Sequence, residues 1–254
     1  MASYAERRRD DGYVIVEDAF DPSFIDSVRQ EFDRQWADRP DWDSQLSVGH
    51  ERRMLTVAIE GPLLDPMLYA NPHVLEMLDD IFEGDFVLDS LTAVVALPGA
   101  QDQQFHADRR TLFPNVAPAF NRVGSFALNV AVPLVDLTPE TGTTRLYPGS
   151  HGRPMGSLSD ESVLPYIRRG GFYAMDYCLW HRGTANLSAA IRPVLFLIYT
   201  RPWFIDVDHF KQQARIRLSE DNFDRIPAEH RHLFRRLAAK GAYDRTEREL
   251  LGDQ

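Results

Sequence analysis

Apolar residues near the start of the chain recur with the period of a helix. A short apolar run at Tyr13 to Val16 predicts a strand, and Asp21 and Pro22 then supply an N-cap and a first-turn proline. Every fourth position of the segment that follows is apolar: Phe24, Val28, Phe32 and Trp36. This stripe predicts an amphipathic helix that lies against a sheet.

The helical pattern stops and then returns. From Arg39 to Arg53 the residues are mostly polar, which predicts a loop that borders a pocket and is a candidate lid. Helical spacing resumes after Asn71 and Pro72 and lasts until Gly84, which suits the left-handed position after a helix. The apolar residues of this second predicted helix are Val74, Leu75, Leu78, Ile81 and Phe82.

From Phe86 onward the apolar residues alternate with a period of two, as they do in strands. The clearest alternating sets are Leu91, Ala93, Val95 and Leu97, and then Phe126, Leu128, Val130 and Val132. A short strand within 140–151 and further strands at Phe172 to Asp176 and Pro193 to Tyr199 complete the pattern. Short strands separated by glycine and proline predict an antiparallel sandwich or jelly roll.

The helical pattern returns after Asp206 and continues, heavily charged, to Leu250. A chain of 254 residues is long enough for one domain with a substantial core. We therefore expect a single domain over 1–254. Its jelly-roll core should lie at about 86–205, with helices before it and a helical tail after it.

Composition narrows the range of functions. The chain is 44% hydrophobic and 26% charged, which is ordinary for a globular protein. No apolar run approaches the roughly 20 residues that span a bilayer, and no signal-peptide pattern is present, so we predict a cytoplasmic protein without a membrane partner. The formal net charge of −10 argues against nucleic acid as a partner. Cys178 is the one cysteine, which excludes an internal disulfide.

A candidate metal site begins with His106 and Asp108. Residues two apart in an extended segment point to the same face, so this imidazole and this carboxylate can converge on one ion. His181, which also follows an extended segment, is the best candidate for a third ligand. Two imidazoles and one carboxylate are typical of non-haem Fe(II) oxygenases, although catalytic zinc sites use the same ligand types.

Three stretches taken together resemble one known family. The stretches His106 to Asp108, Gly142 to His151, and His181 to Arg192 resemble, in order and spacing, the phytanoyl-CoA dioxygenase family of Fe(II)/2-oxoglutarate oxygenases. The resemblance covers roughly residues 11–205. It implies a mostly β protein with flanking helices, folded as a double-stranded β-helix of the jelly-roll or cupin-like kind.

The resemblance also implies a set of site residues. His106, Asp108 and His181 would be the catalytic iron ligands, and Arg192 would bind the far carboxylate of 2-oxoglutarate, which a guanidinium can grip bidentately. Gln103 and Thr144 would be further cosubstrate contacts. Candidate substrate contacts are Arg109, Arg110, Phe113 and Trp180, and 109–122 is a second candidate lid.

The implied activity is that of a dioxygenase that uses Fe(II), 2-oxoglutarate and O2 to hydroxylate, desaturate or cyclise a small organic molecule, with secondary metabolism as a candidate setting. Related halogenases carry a small residue where this chain carries Asp108, so the resemblance favours hydroxylation over halogenation. Two alternatives remain open: a non-catalytic cupin-like protein that binds a metal or small molecule, and a non-oxidative cupin metalloenzyme. The prime substrate and the oligomeric state are not predicted.

Overall fold

The computed structural model describes residues 3–38, 46–109, 124–153, 161–206 and 213–238. The α-helices are α1 (Tyr4–Asp11), α2 (Pro22–Ala37), α3 (Pro66–Tyr69), α4 (Pro72–Phe82) and α5 (Glu220–Asp224), with 3₁₀ segments at Gly61–Leu64 and Ala228–Ala238. The strands are β1 (Tyr13–Val16), β2 (Leu46–Ser47), β3 (Arg52–Thr56), β4 (Val87–Ala96), β5 (Ala127–Pro133), β6 (Thr144–Leu146), β7 (Phe172–Asp176), β8 (His181–Gly183) and β9 (Arg192–Thr200).

Both helices predicted from periodicity are confirmed, together with their caps. The Asp21 side chain accepts a hydrogen bond from the Ser23 amide at the start of α2, and the Asn71 side chain accepts from the His73 amide at the start of α4. After α4 the backbone turns left-handed at Glu83 and Gly84, with φ of 57° and 77°. The sequence pattern did not reveal α1, a short polar helix that Ser3 and Glu6 cap reciprocally.

Two antiparallel sheets form the body of the protein. The larger sheet has the strand order β1-β7-β5-β9-β4-β3-β2, and the smaller pairs β6 with β8. Leu128, Val130, Leu195 and Leu197 belong to a core that the large sheet shares with α2 and α4. A separate core joins its other face, through residues such as Tyr173 and Val194, to Leu146 of the small sheet. This is the predicted jelly roll, with two sheets face to face and helices on the outside.

The structure corrects three boundaries of the sequence interpretation. Part of the predicted loop Arg39 to Arg53 is strand, because Leu46–Ser47 pairs with β3 and Arg52–Thr56 pairs with β4; residues 39–45 lie outside the described residues. β1, β2 and β3 also extend the sheet before the expected core limit at 86. His106 forms an isolated β-bridge with His181, and Asp108 lies in a bend. The segment that carries these two residues is therefore not a regular strand.

The C-terminal segment is less helical than predicted over the part that the structure describes. The Leu91 amide donates to the Arg215 carbonyl and the Ile59 amide to the Arg217 carbonyl, so residues 213–218 run beside the large sheet as extended chain. Helical structure follows only at α5 and at 228–238, while 239–254 lie outside the described ranges. Within the described ranges, no helix combines the length and the apolar character that crossing a membrane requires.

A buried ion-pair cluster holds this segment against the sheet. Asp89 lies at a bulge of β4 and is 3% exposed. Arg215 Nη1 donates to Asp89 Oδ2 at 2.9 Å, and Arg236 Nη1 donates to Asp89 Oδ1. Arg236 also donates to the carbonyls of Arg201 and Pro202, at 2.9 and 3.0 Å. Arg215 and Arg236 of this segment are therefore both tied to the sheet through the carboxylate of Asp89.

We expect an Asp89→Ala substitution to lower the free energy of unfolding by about 3–5 kcal/mol, because it removes the carboxylate that two largely buried guanidinium groups share. Urea denaturation of the metal-free protein measures this. The matched control is Asp33→Ala, which removes a carboxylate from an exposed pair with Arg29 and should cost much less. Equal losses for the two variants would contradict the anchoring role of Asp89.

Candidate metal centre

The three side chains predicted as metal ligands come together in the structure. His106 and His181 lie on facing backbones that exchange two hydrogen bonds, of 3.0 and 2.7 Å. Asp108 follows in a bend, where the amide of Arg109 is held by the Tyr177 carbonyl at 3.0 Å. One donor atom from each of the three side chains lies within 4.8 Å of the others.

Backbone hydrogen bonds orient both imidazole rings in the same way. His106 Nδ1 lies 2.9 Å from the carbonyl of Gln104, and His181 Nδ1 lies 2.9 Å from the carbonyl of Leu179. A carbonyl oxygen can only accept, so in each ring Nδ1 carries the proton and Nε2 presents its lone pair. The Nε2 atoms lie 3.9 and 3.7 Å from Asp108 Oδ1. Two lone pairs and one carboxylate oxygen therefore face a common point.

The environment keeps His181 in the form that can bind a metal. Burial lowers the pKa of His181, and the nearby imidazole of His106 acts in the same direction, although the charge of Asp108 opposes both. A neutral imidazole is the ligand form of histidine. The site therefore needs no deprotonation of His181 before an ion enters at neutral pH.

The donor set fits a divalent transition metal. Imidazole nitrogens and a carboxylate oxygen suit Fe(II), Mn(II) and Zn(II) alike, and three ligands on one side leave further coordination positions for other molecules. The Nδ1 atom of each ring is already hydrogen-bonded to a backbone carbonyl. Metal-binding histidines usually have such a hydrogen bond at the ring nitrogen that does not bind the metal. His106, Asp108 and His181 are thus able to hold an ion together.

Two buried arginines line the same pocket as the metal cluster. Arg192 is 4% exposed and Arg52 is 1% exposed. The pKa of each is lowered to about 10, mainly by burial, and the charge of Arg192 contributes to the shift of Arg52. Both remain protonated at neutral pH. Neither forms an ion pair with a carboxylate of the described residues, so this end of the pocket holds two cationic groups that an anion could neutralise.

Backbone carbonyls hold the two guanidinium groups in place. Arg192 Nη1 donates to the carbonyls of Thr141 and Thr184, at 2.9 and 3.2 Å. Arg52 Nη2 donates to the carbonyls of Gln101 and Thr184, both at 3.0 Å. Thr184 thus links the two groups. The Nε atom of Arg52 is buried without a hydrogen-bond partner in the described chain, and no described residue accepts from the remaining N–H groups of Arg192.

Glycines make room for these side chains. At Gly142, whose φ is 77°, a Cβ would lie 2.4 Å from Arg192 Nη1 and 2.1 Å from the Ala185 carbonyl oxygen. At Gly183 a Cβ would lie 2.5 Å from Gln103 Oε1 and 2.9 Å from Arg52 Nη1. A Cβ carbon does not approach other atoms this closely, so a larger residue at either position would displace its neighbours, an arginine among them.

The other two predicted cosubstrate residues also line the pocket. Gln103 bridges two backbone segments, because its Nε2 donates to the Val48 carbonyl at 2.6 Å and its Oε1 accepts from the Gly183 amide at 2.8 Å. The Thr144 hydroxyl lies 2.7 Å from the hydroxyl of Tyr173. Gln103 therefore already has backbone partners at both ends, and its role toward a cosubstrate stays a prediction.

Of the four predicted substrate contacts, the two that the structure describes do not line the pocket. Arg110 and Phe113 lie outside the described residues. Trp180 stacks on Phe105 with ring centroids 5.1 Å apart, donates from Nε1 to the Arg153 carbonyl at 2.9 Å, and is not among the side chains that line the pocket. Arg109 follows Asp108 directly, but it too is absent from that lining.

Sequence reasoning missed Arg52 and Asn129. Arg52 falls in the stretch predicted as a polar loop, although it begins β3 and lines the pocket beside Arg192. Asn129 stands between apolar residues of β5, and its side chain donates from Nδ2 to Asp108 Oδ2. A polar residue on the inner face of an otherwise apolar strand was the available signal for Asn129.

Comparison with known proteins gives consistent results. A family model described as phytanoyl-CoA dioxygenase matches residues 8–194. The chain is 26% identical to dioxygenase aneA of Aspergillus aculeatus over 71% of its own length and 65% of that protein. It is also 26% identical to dioxygenase af480 of Aspergillus fumigatus, over 53% and 44% of the two chains. The matches thus span less than two thirds of these relatives.

Among solved structures, the fold is similar to that of the epimerase SnoN from nogalamycin biosynthesis, in a complex with Fe³⁺, alpha ketoglutarate and nogalamycin RO. The TM-score is 0.61, with 20% sequence identity, and the match covers 78% of this chain and 82% of SnoN. At this identity, the likeness to SnoN establishes the fold.

Proposed function

The chain belongs to the phytanoyl-CoA dioxygenase family, and from that premise we propose that it is an Fe(II)- and 2-oxoglutarate-dependent dioxygenase that acts on a small organic molecule. His106, Asp108 and His181 are the proposed iron ligands. Arg192, with Arg52 beside it, is proposed to bind the far carboxylate of 2-oxoglutarate. Thr144 and Gln103 are assigned to the same cosubstrate region.

The observation that carries the proposal is the presence of two unlike binding elements in one pocket. One is the cluster of two imidazoles and a carboxylate. The other is the pair of buried guanidinium groups that no described carboxylate neutralises. A metal hydrolase or a simple metal-binding module has no use for the second element. A cosubstrate with a keto acid at one end and a carboxylate at the other uses both.

When bound, the metal and its cosubstrate supply oxidising power, since O2 is reduced while 2-oxoglutarate loses CO2 and becomes succinate. The chain's own residues orient the reactants and exclude water. Arg52 and Arg192 fix one end of the cosubstrate. The remaining lining is largely apolar and includes Met54, Val94, Phe196 and Ile198. It provides a dry space for the carbon atom that is to be oxidised.

We propose hydroxylation as the reaction, with desaturation and cyclisation as variants that use the same oxidant. The support is Asp108, because related halogenases carry a small residue at the position that the resemblance assigns to this carboxylate. The neighbour SnoN is described as an epimerase, so products other than alcohols have to be measured as well. Secondary metabolism is the proposed setting, and a cytoplasmic location stays a prediction.

The test is an anaerobic titration of metal-free protein with Fe(II) and then 2-oxoglutarate. We expect a weak visible charge-transfer absorption that saturates at one equivalent of each, because the keto acid chelates the metal. Glutarate, which has both carboxylates but no keto group, is the matched control and should give no band. Correctly folded protein that binds Fe(II) but develops no band with 2-oxoglutarate would favour the non-oxidative cupin-like alternatives.

A further inference from the structure

Asn129 lies beside the proposed metal centre but cannot bind the metal through its amide nitrogen. It belongs to β5, where its backbone pairs with Ile198 of β9 and Met175 of β7. The residue is 3% exposed. Its position is therefore fixed by the middle of the large sheet, on a rigid part of the fold.

The amide of Asn129 contacts the outer oxygen of Asp108. Nδ2 of Asn129 donates to Oδ2 of Asp108, while Oδ1 is the oxygen that faces the Nε2 atoms of His106 and His181. Only a donor is compatible with a carboxylate oxygen, so Nδ2 and not the carbonyl oxygen occupies this position. Oδ2 of Asp108 is thus bound to the Asn129 amide, and Oδ1 faces the two histidines.

Asp108 depends on this bond more than the histidines depend on any one contact. His106 and His181 are fixed by reciprocal backbone hydrogen bonds and by the carbonyls at their Nδ1 atoms. Asp108 lies in a bend, and its side chain has no other hydrogen bond to the described residues. Without the amide, the carboxylate is free to rotate about its side-chain bonds and to present either oxygen.

The second polar atom of Asn129 shows that packing alone does not explain this residue. Its Oδ1 is buried and has no hydrogen-bond partner among the residues that the structure describes. Burying an unpaired amide oxygen costs free energy. A valine at this strand position would avoid that cost and suit a strand equally well. An asparagine here is therefore better explained by its contact with Asp108 than by stability.

We propose that Asn129 is a positioning residue that holds Asp108 with Oδ1 toward the metal. The inference rests on the metal site proposed above. It predicts that the amide of Asn129 contributes to metal affinity rather than to the stability of the fold. Groups that orient a metal ligand from outside typically change metal affinity by 10–100-fold.

The test compares the wild type with Asn129→Val by titration of the metal-free proteins with Co(II), followed by visible absorption. We expect the Kd for Co(II) to rise 10–100-fold and the cobalt absorption spectrum to change, because the carboxylate ligand is no longer held. The midpoint of thermal unfolding of the metal-free variant should not fall. Asn129→Ala, which has a smaller side chain, should show the same loss of affinity.

Asn71→Val is the matched control, because Asn71 is an equally buried asparagine that caps α4 on the helical side of the fold. It should lower the unfolding midpoint and leave the Kd for Co(II) unchanged. Wild-type affinity and spectrum in both Asn129 variants would overturn the inference while leaving the metal site intact. A wild type that binds no Co(II) would instead overturn the metal site, and this inference with it.

Discussion

An Asp108→Gly variant is expected to lose turnover by ~10³-fold or more, a barrier increase of about 4 kcal/mol. The carboxylate is the anionic member of the His106, Asp108 and His181 cluster, and glycine supplies no donor in its place. The two histidines keep their backbone supports, so the variant should still fold. Succinate release from 2-oxoglutarate, with saturating Fe(II) and O2, measures the effect even before the prime substrate is known.

The control for this prediction is Asp102→Asn, which changes a carboxylate in the same segment. Asp102 pairs with Arg182 at 3.3 Å and accepts from the Ala185 amide, and it is not part of the ligand cluster. Its succinate release should stay within a few fold of the wild type. Full activity of Asp108→Gly would remove Asp108 from the reaction and favour a site built from the histidines alone.

Periodicity was sufficient to predict the parts of the fold that pack against a core. Phe32 and Val28 of α2 and Leu78 and Ile81 of α4 are buried where their spacing predicted. The central strands β4, β5 and β9 were recognised because each alternates or runs apolar on both faces. These elements are fixed mainly by burial of apolar area, which the sequence shows directly.

The features that periodicity missed depend on partners far away in sequence. Arg52 is polar and lies within a predicted loop, yet strand pairing with Ala96 and hydrogen bonds to Gln101 and Thr184 bury it. Asn129 donates a hydrogen bond to Asp108, which lies in a bend that no local sequence pattern specifies. Such long-range hydrogen bonds leave no periodic trace, whereas His106, Asp108 and His181 could be found from residue type and order.

Replacing Arg192 by methionine is expected to raise the KM for 2-oxoglutarate by ~10²-fold or more. A guanidinium in a buried site can give a carboxylate two charge-assisted hydrogen bonds, each worth about 1.5–3 kcal/mol, and methionine gives none. Fe(II) binding without 2-oxoglutarate should stay unchanged, because Arg192 does not belong to the ligand cluster. Initial rates of succinate release over a range of cosubstrate concentrations provide the measurement.

The unfolding midpoint of the Arg192→Met variant distinguishes a role of Arg192 in cosubstrate binding from a structural role. Burial lowers the pKa of Arg192 to about 10, so the fold disfavours the charged form, and the neighbouring Arg52 is a second buried cation. Arg192→Met removes that cost, which should offset the lost bonds to the Thr141 and Thr184 carbonyls at about 1 kcal/mol each. We therefore expect an unfolding midpoint close to that of the wild type in the absence of 2-oxoglutarate.

Two further variants make the prediction specific. Arg192→Lys keeps a charge but not the planar fork, so its KM should fall between those of the wild type and the methionine variant. Arg53→Ala removes the arginine that follows Arg52 on β3 and is not among the pocket-lining residues, and it should leave the KM unchanged. An Arg192→Met variant with a wild-type KM would assign the carboxylate to Arg52 alone, since both guanidinium groups face one pocket and an anion there needs at least one of them.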